Sequence, residues 1–228
     1  MILDANEPDA LPLAADRLAR GGLVAFPTET VYGLGARADD DAAVAAIFAA
    51  KGRPADHPLI VHLAAPSAAT DFASEIPAVA QRLIDAFWPG PLTLILPRRQ
   101  GMASAAAGGH ASIGLRCPAH PVAQALLKAA GALGVAGVAA PSANRFGRIS
   151  PTRASHVQAE FGPDLLVLDG GACKLGIESA IVDCTRERPV LLRPGVLTRA
   201  RIEAAAKEAF APGDGHAAAT PGTLAKHY

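Results

Sequence analysis

Residues Leu11–Gly35 read LPLAADRLARGGLVAFPTETVYGLG, and a change of pattern inside this stretch decides the fold class. Leu11, Ala14, Ala15 and Leu18 recur at helical spacing, so the first part presents one apolar stripe of a helix, which Gly21-Gly22 ends. Leu23-Val24-Ala25-Phe26 is apolar at consecutive positions and reads as a short buried strand running into Pro27. Polar residues follow at once. A helix followed by a buried strand with polar residues at its end is a unit of a layered α/β domain.

The same alternation continues along the chain. Asp39-Asp40-Asp41 cap a second helix, in which Val44, Ile47, Phe48 and Lys51 share a face. A strand is expected at residues 58–63, and a helix marked by Val79, Leu83 and Phe87 stops at Trp88-Pro89-Gly90-Pro91. Strands at 92–96 and 113–116, a helix at 121–131, a strand near 135–139 and a helix at 151–161 follow. Strands at 165–168, 180–182 and 190–193 precede a last helix over 198–210. One α/β domain over residues 1–210 is expected, with 211–228, rich in Pro, Gly, His and Ala, as a linker-like segment.

Composition narrows the function classes. The chain has 228 residues, and 21 Lys plus Arg balance 21 Asp plus Glu, which removes a generally basic nucleic-acid coat. Half the residues are apolar, which removes disorder, but 52 of them are alanine and only ten are aromatic, so close packing on small side chains is expected. Cys117, Cys173 and Cys184 have neither disulfide-framework nor zinc-knuckle spacing and read as reduced small hydrophobes. No signal peptide or membrane-spanning run is visible, so the expected setting is the cytoplasm. Phosphate-binding P-loops, dinucleotide fingerprints, zinc-protease helices and nucleophile elbows are missing from the sequence.

Five polar clusters nevertheless fall at strand ends, where α/β domains hold ligands. They are Pro27–Gly35, Lys51-Gly52-Arg53-Pro54, Pro141-Ser142-Ala143-Asn144, Gly176-Ile177-Glu178-Ser179 and Leu192-Arg193-Pro194-Gly195. Each has a plain alternative: an ordinary turn for the first, helix C-terminal charge for Lys51 and Arg53, a turn cap for Asn144. Two cations one residue apart beyond a helix face can also converge on phosphate or carboxylate.

Taken together, P-T-E-T-V-Y-G-L-G, K-G-R-P, P-L-I-V-H, P-G-P-L-T, L-R-C-P, P-S-A-N, S-P-T, G-I-E-S and L-R-P-G resemble, in order and spacing, the threonylcarbamoyl-AMP synthase (YrdC-like) family over roughly residues 10–205. The resemblance implies a twisted mixed β-sheet flanked by helices around a basic cavity. The activity it implies is condensation of L-threonine, bicarbonate and ATP into threonylcarbamoyl-adenylate, with release of pyrophosphate. Mg²⁺ would accompany ATP, and the product would pass to the machinery that forms N6-threonylcarbamoyladenosine in tRNA.

Carried over position by position, Lys51 and Arg53 resemble the pair that holds phosphates and the carboxy-group donor, and Ser142 and Asn144 the pair facing them. These four are the expected catalytic residues. Thr30, His62, Arg116 and Ser179 match positions that hold L-threonine, with the backbone near Ala140 lining the same cavity. Arg193, Ser150, Ser112 and His57 match nucleotide-contacting positions, beside Arg53 and Ser142. The sequence departs from the family pattern in three places: His57 replaces Asn, Ala180 replaces Thr, and the segment Ala111–Gly114 is looser. The end, Thr220–Tyr228, resembles the linker of a longer two-domain subgroup, which places Tyr228 near ATP and a C-terminal domain beyond it.

Two other readings compete. Related domains form carbamoyl-adenylate within larger carbamoyltransferases, but those carry zinc-finger regions, and C-x-x-C spacing is missing here. An RNA-binding module, or a weak RNA contact added to catalysis, would use the same cavity, but it needs stacking aromatics and a broad basic surface.

Overall fold

The computed structural model describes residues 1–213. A strand without a clear sequence signal, β1 (Ile2–Asp4), precedes α1 (Ala10–Ala19) and β2 (Val24–Phe26). Next come β3 (Gly33–Arg37), α2 (Asp41–Lys51), β4 (Ile60–His62), a 3-10 turn at Pro66–Ala68 and the one-turn α3 (Ala69–Phe72). The middle of the chain forms α4 (Ala78–Phe87), β5 (Leu92–Pro97), β6 (Ser112–Arg116), α5 (Pro121–Ala132) and β7 (Val138–Ala139). Then follow α6 (Ala154–Phe161), β8 (Leu166–Asp169), β9 (Ala180–Asp183), β10 (Val190–Arg193) and α7 (Arg199–Ala206).

The strands form one mixed sheet in the order β1-β8-β2-β3-β7-β4-β6-β5-β9-β10. Parallel pairs such as β4/β6 and β5/β9 alternate with antiparallel pairs such as β2/β3 and β5/β6. This is the mixed α/β sheet flanked by helices that the sequence leads one to expect.

Small side chains let helix and sheet approach closely. Ala10, Ala14 and Ala15 of α1 share a core with Ala123, Leu126 and Ala130 of α5, over Phe26 and Leu168 of the sheet. A larger core holds Tyr32, Leu34, Ile47, Phe72, Leu83 and Leu94. Each fully buried Leu, Ile or Phe contributes about 1.5–3 kcal/mol relative to exposure. In α2 the Asp40 carboxylate caps the N-terminus through Ala42 and Ala43 N–H, and Gly52 ends the helix in the left-handed region at φ 63°.

Several boundaries differ from the sequence reading. The end of the polar cluster 27–35, for which an ordinary turn is the plain alternative, belongs to strand β3 (Gly33–Arg37). Its glycines are there for close approach: a Cβ on Gly35 would lie 2.7 Å from both Phe26 Cε1 and Val138 Cγ1. Only residues 138 and 139 of the expected 135–139 strand pair as β7. Helix α6 begins at Ala154, not 151, and α7 ends at Ala206, where Lys207 turns left-handed at φ 58°. Of the expected linker, Ala211 still bridges to Val190, while Tyr228 and its neighbours lie outside the described residues. Among the described residues no helix is long and apolar enough to cross a membrane. Cys117, Cys173 and Cys184 are free thiols.

Candidate active site

The central strands bring the polar clusters together. In the parallel β4/β6 pair His62 is level with Arg116, so the two side chains stand side by side at one end of the sheet. Antiparallel β7, next to β4, delivers Ala140, Pro141 and Ser142 to the same place. Strand β9 starts immediately after Ser179, and a register shift in β10 between Leu191 and Arg193 re-aims Arg193 toward it. From the other side, Gly52 turns the chain out of α2 so that Arg53 points inward.

The result is a small polar cavity at this end of the sheet. Of the residues singled out from sequence, Thr30, Arg53, His62, Arg116, Ala140, Ser142, Ser179 and Arg193 line it. Three guanidinium groups therefore face one small volume.

Each is held differently. Arg116 donates to Glu29 Oε1 at 2.6 Å, to Thr30 Oγ1 at 3.0 Å and to Gly90 O at 3.3 Å. Glu29 also accepts from the Ala119 N–H at 3.0 Å, so the carboxylate is fixed from behind. Arg193 donates to Ser179 O at 2.9 Å and Ser179 Oγ at 3.1 Å, and forms an ion pair with Glu178. Arg53 donates to Pro58 O at 3.2 Å, while its buried Nε has no protein partner. The Thr28 hydroxyl organises the loop between β2 and β3: it donates to Val31 O at 2.7 Å, accepts from the Thr30 and Val31 N–H groups, and lies 2.8 Å from Thr30 Oγ1.

Burial sets the protonation of the site. Desolvation, then the nearby Arg116 charge, pushes the His62 imidazole down to about 3, so it is neutral at physiological pH. Its buried Nδ1 has no protein partner. Desolvation lowers Arg53 to about 10, still cationic. Lys51 falls to about 7, through desolvation first and then repulsion by Arg53.

The remaining expected residues lie off the cavity wall. Lys51 is buried, and its ammonium donates to Ser142 O at 2.5 Å and to Asn144 O, stapling the 141–144 turn to the end of α2. Asn144 clamps its own loop through Arg145 O and Arg148 O, and its buried Oδ1 has no protein partner. Ser150 donates to Glu178 Oε1 at 2.9 Å, one residue removed from the cavity. His57 packs against Phe146 with ring centres 5.8 Å apart, away from the lining residues. The structure does not bring Ser112 in: it pairs with Pro97 at the opposite end of β6 from Arg116, roughly 13 Å along the strand. Tyr228 is outside the described residues.

Two site residues, Glu29 and Glu178, are not among the candidates from sequence, although both sit inside recognised motifs beside Thr30 and Ser179. The available signal was counter-charge, since buried arginines at strand ends require acids and both glutamates lie in those same segments.

A cavity with three cations, hydroxyls from Thr28, Thr30, Ser142 and Ser179, and a neutral imidazole suits an anionic small molecule that also carries polar groups. Comparison with known proteins agrees on kinship. The Sua5–YciO–YrdC family model, described as telomere recombination, matches residues 16–195. A threonylcarbamoyl-AMP synthase of Pyrococcus abyssi is 48% identical over 192 residues, covering 84% of this chain and 55% of that protein. One from Bacillus subtilis is 44% identical, covering 89% of this chain and 58% of that protein. This chain thus spans little more than half the length of these relatives. The structure of P. abyssi Sua5 complexed with L-threonine superposes with a TM-score of 0.88 at 43% identity, covering 93% of this chain and 62% of that one. The chain belongs to the Sua5–YciO–YrdC family.

Proposed function

We propose that this chain carries L-threonylcarbamoyladenylate synthesis: L-threonine, bicarbonate and ATP condense, pyrophosphate leaves, and the product serves N6-threonylcarbamoyladenosine formation in tRNA in the cytoplasm. The observation that carries this reading is the convergence of Arg53, Arg116 and Arg193 on one cavity, in a chain 44–48% identical to two proteins named threonylcarbamoyl-AMP synthase. The complex of the P. abyssi relative with L-threonine supports an amino-acid subsite, for which Thr30, His62, Arg116 and Ser179 supply a guanidinium, hydroxyls and a neutral imidazole.

The chemistry asks for little beyond electrostatics and position. The threonine amine attacks the carbon of bicarbonate, a C–O bond breaks and water leaves with the amine proton, and an oxygen of the resulting carbamate then attacks the α-phosphorus, breaking its bond to the β-phosphate bridge and expelling pyrophosphate. Both steps concentrate negative charge, which preorganised cations stabilise most where water is excluded. Arg53 and Arg193 would meet the phosphates, and Arg116, already oriented by Glu29, the threonine carboxylate in a two-pronged contact. Lys51 acts in this reading by holding Ser142 in the wall. Ser150, His57 and Tyr228 are assigned to the nucleotide's periphery on the strength of the family resemblance. Magnesium would arrive as the nucleotide complex and neutralise part of the phosphate charge.

The test is threonine- and bicarbonate-dependent pyrophosphate release from ATP, with threonylcarbamoyl-adenylate identified by mass spectrometry. Absence of that product from folded protein would refute the reading.

A further inference from the structure

Two of the cavity's three arginines already have a carboxylate. Glu29 holds Arg116 from outside the lining, but Glu178, the partner of Arg193, is itself part of the cavity wall. An acid on the face expected to receive phosphates needs an explanation.

Glu178 is not needed to hold Arg193. The guanidinium is anchored independently by Ser179 O at 2.9 Å and Ser179 Oγ at 3.1 Å, and β10 is locked against 178–180, where a Cβ on Gly195 would come within 2.5 Å of Ala180 N. The Glu178 side chain is more accessible than its partner, 14% against 5%. It has a neutral alternative partner in the Ser150 hydroxyl at 2.9 Å. Its field also reaches further than Arg193, since it partly offsets the lowering of Arg53.

We propose that Glu178 is a resident anion of the phosphate-binding face, competing with ligand phosphate for Arg193 and Arg53 and re-pairing with Arg193 when pyrophosphate leaves. The identity of the anion rests on the synthase reading; the ion exchange itself follows from the geometry. A carboxylate in this place weakens the grip on every anion, and so favours release of a highly charged product that Arg53 and an unopposed Arg193 would retain.

Glu178→Gln keeps the shape and still offers a carbonyl oxygen to Ser150 and Arg193, while Glu178→Ala removes the group altogether. Binding of inorganic pyrophosphate is measured by calorimetry, without divalent metal and at fixed ionic strength, on proteins checked by thermal melting. In both variants the Kd should fall at least tenfold, with a steeper dependence on salt. Unchanged or weaker binding in both variants would overturn the proposal, as would failure of wild type and variants alike to bind pyrophosphate. A loss seen only when magnesium is added would assign Glu178 to the metal, and so overturn it too. Absence of threonine-dependent turnover in wild type would instead strike the synthase reading and leave the affinity comparison standing.

Discussion

Replacing Lys51 by Met keeps an unbranched stem as far as Cε and removes the one ammonium that holds Ser142 O and Asn144 O. Asn144 O then loses its donor, at about 1–3 kcal/mol, while Ser142 O keeps the Asn144 N–H at 3.0 Å. Against this stands the burial of the charge itself: a fall from 10.5 to about 7 corresponds to on the order of 5 kcal/mol of penalty on the protonated form. Near neutrality the two effects oppose each other, so the slope with pH is the decisive quantity. Above pH 7 the folded lysine is neutral while the unfolded one keeps its proton until about 10.5. The unfolded state then binds more protons, and stability rises with pH by about 1.4 kcal/mol per unit from this group. The neutral amine retains two N–H groups, enough for both carbonyls. Urea unfolding of wild type and Lys51→Met at pH 7, 8 and 9 should show the gap widening in favour of wild type, by on the order of 2 kcal/mol over that range. Other titrating groups are common to both proteins and cancel. Parallel pH profiles would refute the assignment of Lys51 as a buried, deprotonating staple.

Arg53→Ala should abolish threonine- and bicarbonate-dependent pyrophosphate release while leaving the melting transition nearly in place, because among the described residues the Arg53 side chain makes one hydrogen bond, to Pro58 O. Arg116→Lys keeps the charge but loses directed bonds to Glu29, Thr30 and Gly90; denaturant titration should show a loss of about 2–4 kcal/mol, with threonine affinity falling as well. Acidification should destabilise the fold from pH 6.5 toward about 3, since the unfolded His62 takes a proton that the buried imidazole refuses; His62→Gln should flatten that part of the profile. Gly35→Ala should lower the melting temperature, because its Cβ would press into Phe26 and Val138, at a cost of about 1–3 kcal/mol.

Much of the layered architecture was legible because helix α1, strand β2 and their successors announce themselves through apolar periodicity, a local property. Strand β3 was not legible, since glycines that exist to avoid Phe26 and Val138 look like loop residues until those neighbours are known. Strand β1 is three residues long and depends on pairing with β8, far along the chain. At the site, polar clusters at the ends of elements marked Arg53, Ser142 and Arg193, and the family resemblance added His62 and Arg116. Their roles were a different matter: Lys51 reads as a phosphate ligand beside Arg53, yet the left-handed turn at Gly52 separates an ammonium directed at backbone carbonyls from a guanidinium at the cavity. Ser112 failed because it shares a strand with Arg116 but sits at its other end.

By itself the sequence determined the α/β class, the kinship carried by nine ordered motifs, and the concentration of cations at strand ends despite a net charge of zero. Only the tertiary structure decided which charges meet: Arg116 with Glu29, Arg193 with Glu178, and Lys51 with the turn behind Ser142. Periodicity and turn chemistry act between near neighbours, whereas these pairings join residues 15 to 91 positions apart. They follow from sheet register and burial, which no local pattern encodes.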